Sequence, residues 1–237
     1  MGRRLTRKQI KKDEFITFVD RGIHWMGGNW RQAAIGLGAL VAVALVYWAV
    51  TAFLGSRKDA AAQAISRALQ TYEAPVGSAA QPDAQIKFAT DAERLAAAEK
   101  AFQAVKSRYW LTPQASVAEL FLARIAADRG DLAQAVRLLG EITSHRSADP
   151  VVQLAMLDLI RIRVAKGEGM QLVKDLESMV AGKDPRLPRD AALYQLARVW
   201  EEAGKPEEAS KLYRKLVEEF PNSPYRLDAQ QRIAASS

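Results

Sequence analysis

Three arginines at a constant spacing are the side chains with the clearest chemical potential. Arg124, Arg161 and Arg198 follow one another at intervals of 37 residues. A guanidinium group is planar and permanently charged, and it donates forked hydrogen bonds to carboxylates and carbonyl oxygens. If the interval reflects a structural repeat, the three groups lie at equivalent places and could grip an extended or helical segment of a partner protein. We therefore predict a partner-binding row.

A competing interpretation leaves these arginines without a binding role. Each has an acidic residue within four positions, as an ion pair inside one helix requires. Such pairs would be solvated and would bind nothing else. The sequence leaves both interpretations open. The acidic residues are Asp128 for Arg124, Asp158 for Arg161, and Glu201 with Glu202 for Arg198.

Residues for catalysis or metal binding are scarce. The chain has no cysteine and two histidines, His24 and His145. Thiol nucleophiles, cysteine-based zinc sites and disulfide frameworks are therefore excluded. The histidines lie on either side of a long apolar stretch, and no clustered carboxylate loop suits a cation. We predict a non-catalytic protein without metal, cofactor or small-molecule substrate.

The net charge of +7 is concentrated in the N-terminal segment. Residues 1–31 carry 8 basic and 3 acidic side chains, whereas the rest of the chain is almost balanced. Because a short tail holds most of the excess, the charge does not indicate a nucleic-acid-binding domain.

The positions of glycine and proline indicate repeated helix pairs. Gly130, Gly167 and Gly204 are 37 residues apart, and so are Pro113 and Pro150. Proline suits the first turn of a helix, and glycine suits the left-handed residue that ends one. Each proline therefore predicts the start of a first helix, and each glycine the turn to its partner. The fold class is all-α, a solenoid of helix pairs.

The last copy of the repeat resembles a known family. The segment LYQLARVWEEAGKPEEASKLYRKLVEEFP is similar to the tetratricopeptide repeat (TPR), with Trp200 at its aromatic position and Gly204 in its turn. The resemblance implies a TPR-like α-solenoid over residues 90–237, with first helices along a concave face, a buried Trp200, and a terminal capping helix from Pro224. The period of 37 exceeds that of the family by about three residues.

A transmembrane helix is predicted before the solenoid. Residues 33–54 contain no charge, and 22 helical residues can cross a hydrocarbon core of about 30 Å. Eight basic residues precede the stretch and fewer follow it, which predicts a cytoplasmic N-terminus. A cleaved signal peptide is the alternative, although its apolar core would be about 7 to 15 residues long.

Three small residues recur on one face of this predicted helix. Ala34, Gly38 and Ala42 are four residues apart and could let another transmembrane helix approach closely, although Ala and Gly are common in this chain. The basic tail, residues 1–32, has helical apolar spacing and predicts an amphipathic juxtamembrane helix. Residues 55–89 are predicted to be a helical extension and linker.

The whole plan has a second resemblance. A basic cytoplasmic tail, one span and an exported repeat domain resemble the single-pass ancillary subunit of the bacterial Sec translocon. This implies an adaptor in the bacterial inner membrane, with a periplasmic C-terminal domain that meets translocon subunits, periplasmic chaperones or exported chains. Two alternatives are a structural scaffold of an envelope machine, such as a pilus, secretion or cell-division assembly, and a regulator whose cytoplasmic helix contacts a signalling protein.

Overall fold

A computed structural model describes residues 30–77 and 86–235. Within these ranges the chain is helical, with nine α-helices, a 3-10 helix at Gly169–Leu172 and no β-strand. This agrees with the predicted fold class. The α-helices are α1 (Trp30–Tyr72), α2 (Asp91–Arg108), α3 (Pro113–Asp128), α4 (Leu132–Ser144), α5 (Pro150–Ala165), α6 (Val173–Val180), α7 (Arg189–Glu202), α8 (Pro206–Glu219) and α9 (Arg226–Ala235).

The chain divides into two compact units, Met1–Arg57 and Lys58–Ser237. The described part of the first unit is helical and strongly apolar. Helix α1 is long and apolar enough to cross a membrane, and its most apolar window has a mean hydropathy of 2.2 and is 0% buried. Ala34, Gly38 and Ala42 are exposed, so their use as a packing face stays a prediction. The predicted juxtamembrane helix and His24 lie outside the described residues.

The helix pairs of the second unit begin before residue 90. Residues 58–72, the last part of α1, pack against α2, and Ala61 and Ala68 are completely buried. The Tyr72 ring lies 6.3 Å from that of Phe102 in α2 and 5.4 Å from that of Phe121 in α3. The helical extension predicted after the span is therefore the first helix of an additional pair.

Three equivalent turns join first and second helices. Gly130, Gly167 and Gly204 have φ angles of 82°, 74° and 72°, the left-handed conformation that was predicted for them. At each turn the amide of the next residue bonds back across the helix end, as Asp131 does to the Ala126 carbonyl at 2.9 Å. This is the Schellman arrangement, which satisfies the last carbonyls of a helix.

The helix starts follow the proline pattern closely. Helices α3 and α5 begin at Pro113 and Pro150, and the Asp149 carboxylate accepts a 2.7 Å hydrogen bond from the Val151 amide. The capping helix α9 begins at Arg226, two residues after Pro224. The Ser223 hydroxyl explains the delay, because it accepts from the Tyr225 amide at 3.2 Å and donates to Asp190 at 2.8 Å.

Backbone hydrogen bonds join the two ends of the predicted linker. The Gly77 amide donates to the Phe88 carbonyl at 3.0 Å, and the Phe88 amide donates to the Pro75 carbonyl at 3.3 Å. The intervening residues 78–85 lie outside the described part of the chain.

The interior is built from residues at equivalent positions of successive pairs. Trp200, predicted to be in the core, is half-buried at its edge, and the Lys205 ammonium lies 4.7 Å from its ring centroid. Of the residues at the equivalent core positions, all are buried except Leu122, which is half-buried. The equivalent buried positions are Ile125, Ile162 and Val199; Leu159 and Leu196; Ala135, Leu172 and Ala209; and Ile142, Met179 and Leu216.

Candidate protein-binding surface

The three predicted arginines lie on three successive first helices. Helix α3 contacts α5, and α5 contacts α7. Arg124 is in α3, Arg161 in α5 and Arg198 in α7. The interval of 37 residues therefore reflects equivalent places in neighbouring helices. Their immediate surroundings nevertheless differ.

Arg124 and Arg161 share one carboxylate. The Arg124 Nε donates to Asp158 Oδ2 at 2.7 Å, and the Arg161 Nη2 donates to Asp158 Oδ1 at 3.3 Å. The side chain of Asp158 is 14% exposed, that of Arg124 29% and that of Arg161 70%. Arg124 also lies over the Phe121 ring, with 5.2 Å between the guanidinium carbon and the ring centroid. Arg161 is thus the member of this pair that presents its charge to solvent.

Arg161 makes the expected ion pair within its own helix, with Asp158, whereas Arg124 does not pair with Asp128. Arg124 binds Asp158 of the next first helix, while Asp128 accepts a 2.6 Å hydrogen bond from the Tyr72 hydroxyl. Burial and this hydrogen bond raise the pKa of Tyr72 to about 12. The Arg124 ion pair therefore joins two repeats.

Arg198 has a third kind of environment. Its Nε is buried and donates to no acceptor among the described residues. Glu201, one of its expected partners, instead accepts hydrogen bonds from the Tyr213 hydroxyl at 2.9 Å and from Arg232 at 2.6 Å. A buried N–H normally has a partner, so this Nε is an unsatisfied donor.

A polar network closes the C-terminal end of this row. Asp228 of α9 accepts hydrogen bonds from the Tyr194 hydroxyl and, at 2.7 Å, from the Arg232 Nε. These bonds lower the pKa of Asp228, with that from Tyr194 contributing most. Tyr194 also stacks on Tyr225, with 4.6 Å between ring centroids. Helix α9 is thereby fastened to α7 by charge and aromatic packing.

An apolar side chain accompanies the exposed arginine on α5. Leu154 is 45% exposed, and the intervals from Leu154 to Asp158 to Arg161 are four and three residues, which places the three on one helix face. Leu154 could not be predicted from its residue type, because an apolar residue in a helix is normally assigned to the core. The face offers an apolar contact beside a cation, which suits a protein segment with one apolar and one acidic group.

A concave surface lies between two of the second helices. A groove of about 850 Å³ runs between α2 and α4, with Leu122, Ile125 and Ala126 of α3 among its lining residues. Two ion pairs lie on its rim, Arg129 with Glu99 and Arg137 with Glu141, each at 2.6 Å.

A buried ion pair that was not predicted from the sequence holds the turn between α6 and α7. Arg186 is 5% exposed and Asp184 2%, and their side chains meet at 2.7 Å. Arg186 also donates to Asp175 of α6 at 2.8 Å. Burial alone would raise the pKa of Asp184, but the hydrogen bonds from Arg186 outweigh it and lower the pKa. The cluster stiffens the connection before α7.

Among the described residues, no group of three or more His, Asp or Glu side chains is arranged to hold a metal ion. His145 caps the C-terminal end of α4.

Two models of known protein families match the chain. Residues 24–183 match the model of the tetratricopeptide repeat-like domain, and residues 191–223 match that of the tetratricopeptide repeat. The chain belongs to the tetratricopeptide repeat-like family. This agrees with the resemblance of the last copy.

Two solved structures are also similar to this chain. Both are crystal structures of "kinesin light chain nearly identical TPR-like repeats" from Podosopora anserina, one of them carrying a single substitution. Their sequence identities to the chain are 24% and 25%, each with a TM-score of 0.46 over 61% of this chain and 78% of the other. No curated protein matches the chain.

Membership of this family fixes the general kind of function. Tetratricopeptide repeats bind other proteins, and the family generally serves as a non-catalytic scaffold. The chain is therefore a protein–protein interaction adaptor.

Proposed function

We propose that this chain is a membrane-anchored adaptor that holds a protein partner against the exposed face of its first helices. The apolar part of α1 crosses the bacterial inner membrane once. The N-terminal segment is cytoplasmic, and the unit Lys58–Ser237 is periplasmic. The partners are subunits of the Sec translocon beside the span, and periplasmic chaperones or emerging exported chains at the repeats.

The observation that carries this proposal is the bare apolar surface of α1. Its large apolar residues have no core around them, because the most apolar window of the helix is 0% buried. A helix that is apolar on all sides needs a surrounding of hydrocarbon or protein. The exposed fractions are 71% for Ile35, 65% for Leu37, 69% for Leu40, 67% for Val43 and 63% for Val46.

The basic residues of the N-terminal segment support the orientation. Residues 1–31 carry eight Lys and Arg side chains. An excess of these residues next to a span keeps that flank in the cytoplasm. The repeats then lie on the opposite side, where exported proteins emerge.

The face of α5 supports the choice of binding surface. Arg161 presents a largely exposed guanidinium, and Leu154 presents an exposed apolar side chain on the same face of the helix. Arg124 is hydrogen-bonded to Asp158. Its role at the binding surface is therefore to fix the position of the Asp158 carboxylate beside Arg161. A partner carboxylate would therefore meet Arg161 first.

Photo-crosslinking in the native host tests both ends of the proposal. A photo-reactive amino acid at Gly38 is expected to link to Sec translocon subunits, and one at Leu154 to chaperones or exported chains. A probe at Arg137, exposed on α4 and paired with Glu141, serves as the control and is expected to give little product. Adding Arg161→Ala should reduce the Leu154 product by roughly tenfold, the loss expected for one charge-assisted contact.

The alternatives predict other products. A scaffold of an envelope machine would give one fixed partner at both Gly38 and Leu154. Equal products at Leu154 and Arg137, or a Leu154 product that ignores Arg161→Ala, would refute the proposed binding face.

A further inference from the structure

An apolar turn in the second unit has no equivalent in the next repeat. Helix α2 ends in the turn from Tyr109 to Thr112, and the two residues at its tip are Trp110, 68% exposed, and Leu111, 59% exposed. Turn positions usually hold small or polar residues. One repeat later the corresponding residues are Ser147 and Ala148. The turn between α2 and α3 therefore has an apolar tip, whereas the corresponding turn between α4 and α5 does not.

The turn holds its tip rigidly. The Thr112 amide and the Thr112 hydroxyl both donate to the Tyr109 carbonyl at 2.8 Å. The Tyr109 amide donates to the Val105 carbonyl at 2.9 Å, which ties the turn to the last turn of α2. Trp110 and Leu111 are therefore held outward by the backbone rather than being displaced from a core.

The tip lies at the end of the unit where the chain enters it. A depression of about 340 Å³ brings Ala60 and Ala64 of α1 together with Arg108 of α2 and Tyr109 of the turn. Ala60 is six residues after Leu54, the last residue of the predicted span. Six residues span about 9 Å as a helix and at most about 21 Å when extended. Six residues therefore connect the end of the predicted span to Ala60, which lies beside the turn.

Two basic residues, Arg67 and Arg108, line the depression beside the tip. Tryptophan and tyrosine favour the boundary between lipid headgroups and acyl chains, and Lys and Arg near them attract lipid phosphates. Aromatic, apolar and basic groups together fit a membrane surface better than they fit water.

We propose that the Trp110–Leu111 tip inserts into the headgroup region of the bilayer that α1 spans, as a second contact of the repeat unit with the membrane. The inference rests on the proposed membrane anchor. Trp110 and Leu111 enter the interface, while Arg67 and Arg108 meet lipid phosphates. With a span and a tip both bound, the repeat unit has a fixed orientation over the membrane.

Depth-dependent fluorescence quenching tests this on the full chain. The chain has no cysteine, so single cysteines can be labelled with an environment-sensitive dye. Ser107→Cys reports on the tip. Ser144→Cys is its matched control, 37 residues later, and each serine hydroxyl donates to the carbonyl three residues before it. Val46→Cys reports on the span.

The labelled proteins are reconstituted in vesicles of phosphatidylethanolamine and phosphatidylglycerol that carry spin-labelled lipids. Headgroup-labelled lipid should quench position 107 at least about twofold more than position 144, because interfacial aromatic groups bring their neighbours to that depth. Replacing the tip by its counterpart, W110S with L111A, should lower the quenching at 107 to the level at 144. Far-UV circular dichroism checks that the helices remain.

Each other outcome has a distinct meaning. Strong quenching at 107 that survives the W110S and L111A replacement would show that the tether alone brings the turn near, and would overturn the inference. Equal quenching at 107 and 144, with Val46 quenched by acyl-chain-labelled lipid, would overturn the inference and leave the anchor standing. No quenching at Val46 would overturn the anchor itself.

Discussion

At the scale of single residues, one carboxylate serves two cations with different exposures. Asp158 is mostly buried and binds Arg124 from a neighbouring repeat as well as Arg161 from its own helix. Removing a partner from a buried ion costs more than removing one from an exposed pair, because water compensates only the latter. The two arginines, equivalent by sequence interval, therefore differ in what they stabilise.

Arg124→Ala is expected to lower the free energy of unfolding by about 1–2 kcal/mol, whereas Arg161→Ala should change it by less than about 0.5 kcal/mol. The difference arises because Asp158 keeps only its longer contact when Arg124 is removed. Urea denaturation of both variants in detergent, followed by circular dichroism, measures it. Equal losses would contradict the assignment of Arg124 as the structural member of the pair.

At the scale of elements, the sequence predicts the turns but does not predict the contacts between repeats. The turn at Gly167 follows from the sequence because a left-handed residue favours glycine. The Arg124–Asp158 contact joins residues 34 apart, as does that of Tyr194 with Asp228. The separation of 34 residues is about one helical turn shorter than the repeat of 37. Which residues meet across adjacent first helices therefore depends on how far one helix is shifted along the other. Intrahelical spacing alone therefore pointed to Asp128, the wrong partner for Arg124.

Two glycines separate the backbone effect from the effect of space. An added Cβ would meet nothing within 4 Å at either Gly167 or Gly140, but only Gly167 has a positive φ. Gly167→Ala is therefore expected to destabilise the fold by about 1–2 kcal/mol through backbone strain. Gly140→Ala lies inside α4 and should stabilise it by about 0.5–1 kcal/mol. Thermal unfolding of the two variants gives the signs, and a shift in the same direction would contradict the turn assignment.

At the scale of the whole molecule, the unit Lys58–Ser237 depends on carboxylates at two distant places. Asp184 lies in the buried turn before α7, and Asp228 joins α9 to α7. Both have pKa values below the ordinary 3.8. A carboxyl group that is more acidic in the folded than in the unfolded state stabilises the fold above the unfolded pKa. The stabilisation is lost as the pH falls from 3.8 through the folded pKa.

Acidification below about pH 4 is therefore expected to lower the melting temperature of the unit. Asp228→Asn should lower it already at neutral pH, since Arg232 loses its ionised partner, and should reduce the further fall in acid. Glu218→Gln, on the exposed face of α8, is the control and should follow the parent protein. Melting temperatures measured across the pH range test this, and an unchanged acid profile in Asp228→Asn would rule out its contribution.

The identical closure of three turns has a genetic consequence. Because Gly130, Gly167 and Gly204 end their helices with the same hydrogen bonds, a recombination that joins one turn to the next exchanges like for like. Loss of residues 131–167, for example, would remove 37 residues and leave an intact turn between a first and a second helix. Lineages of this protein can thus change length in whole helix pairs, and the reach of the binding face can evolve by copying rather than by point substitution.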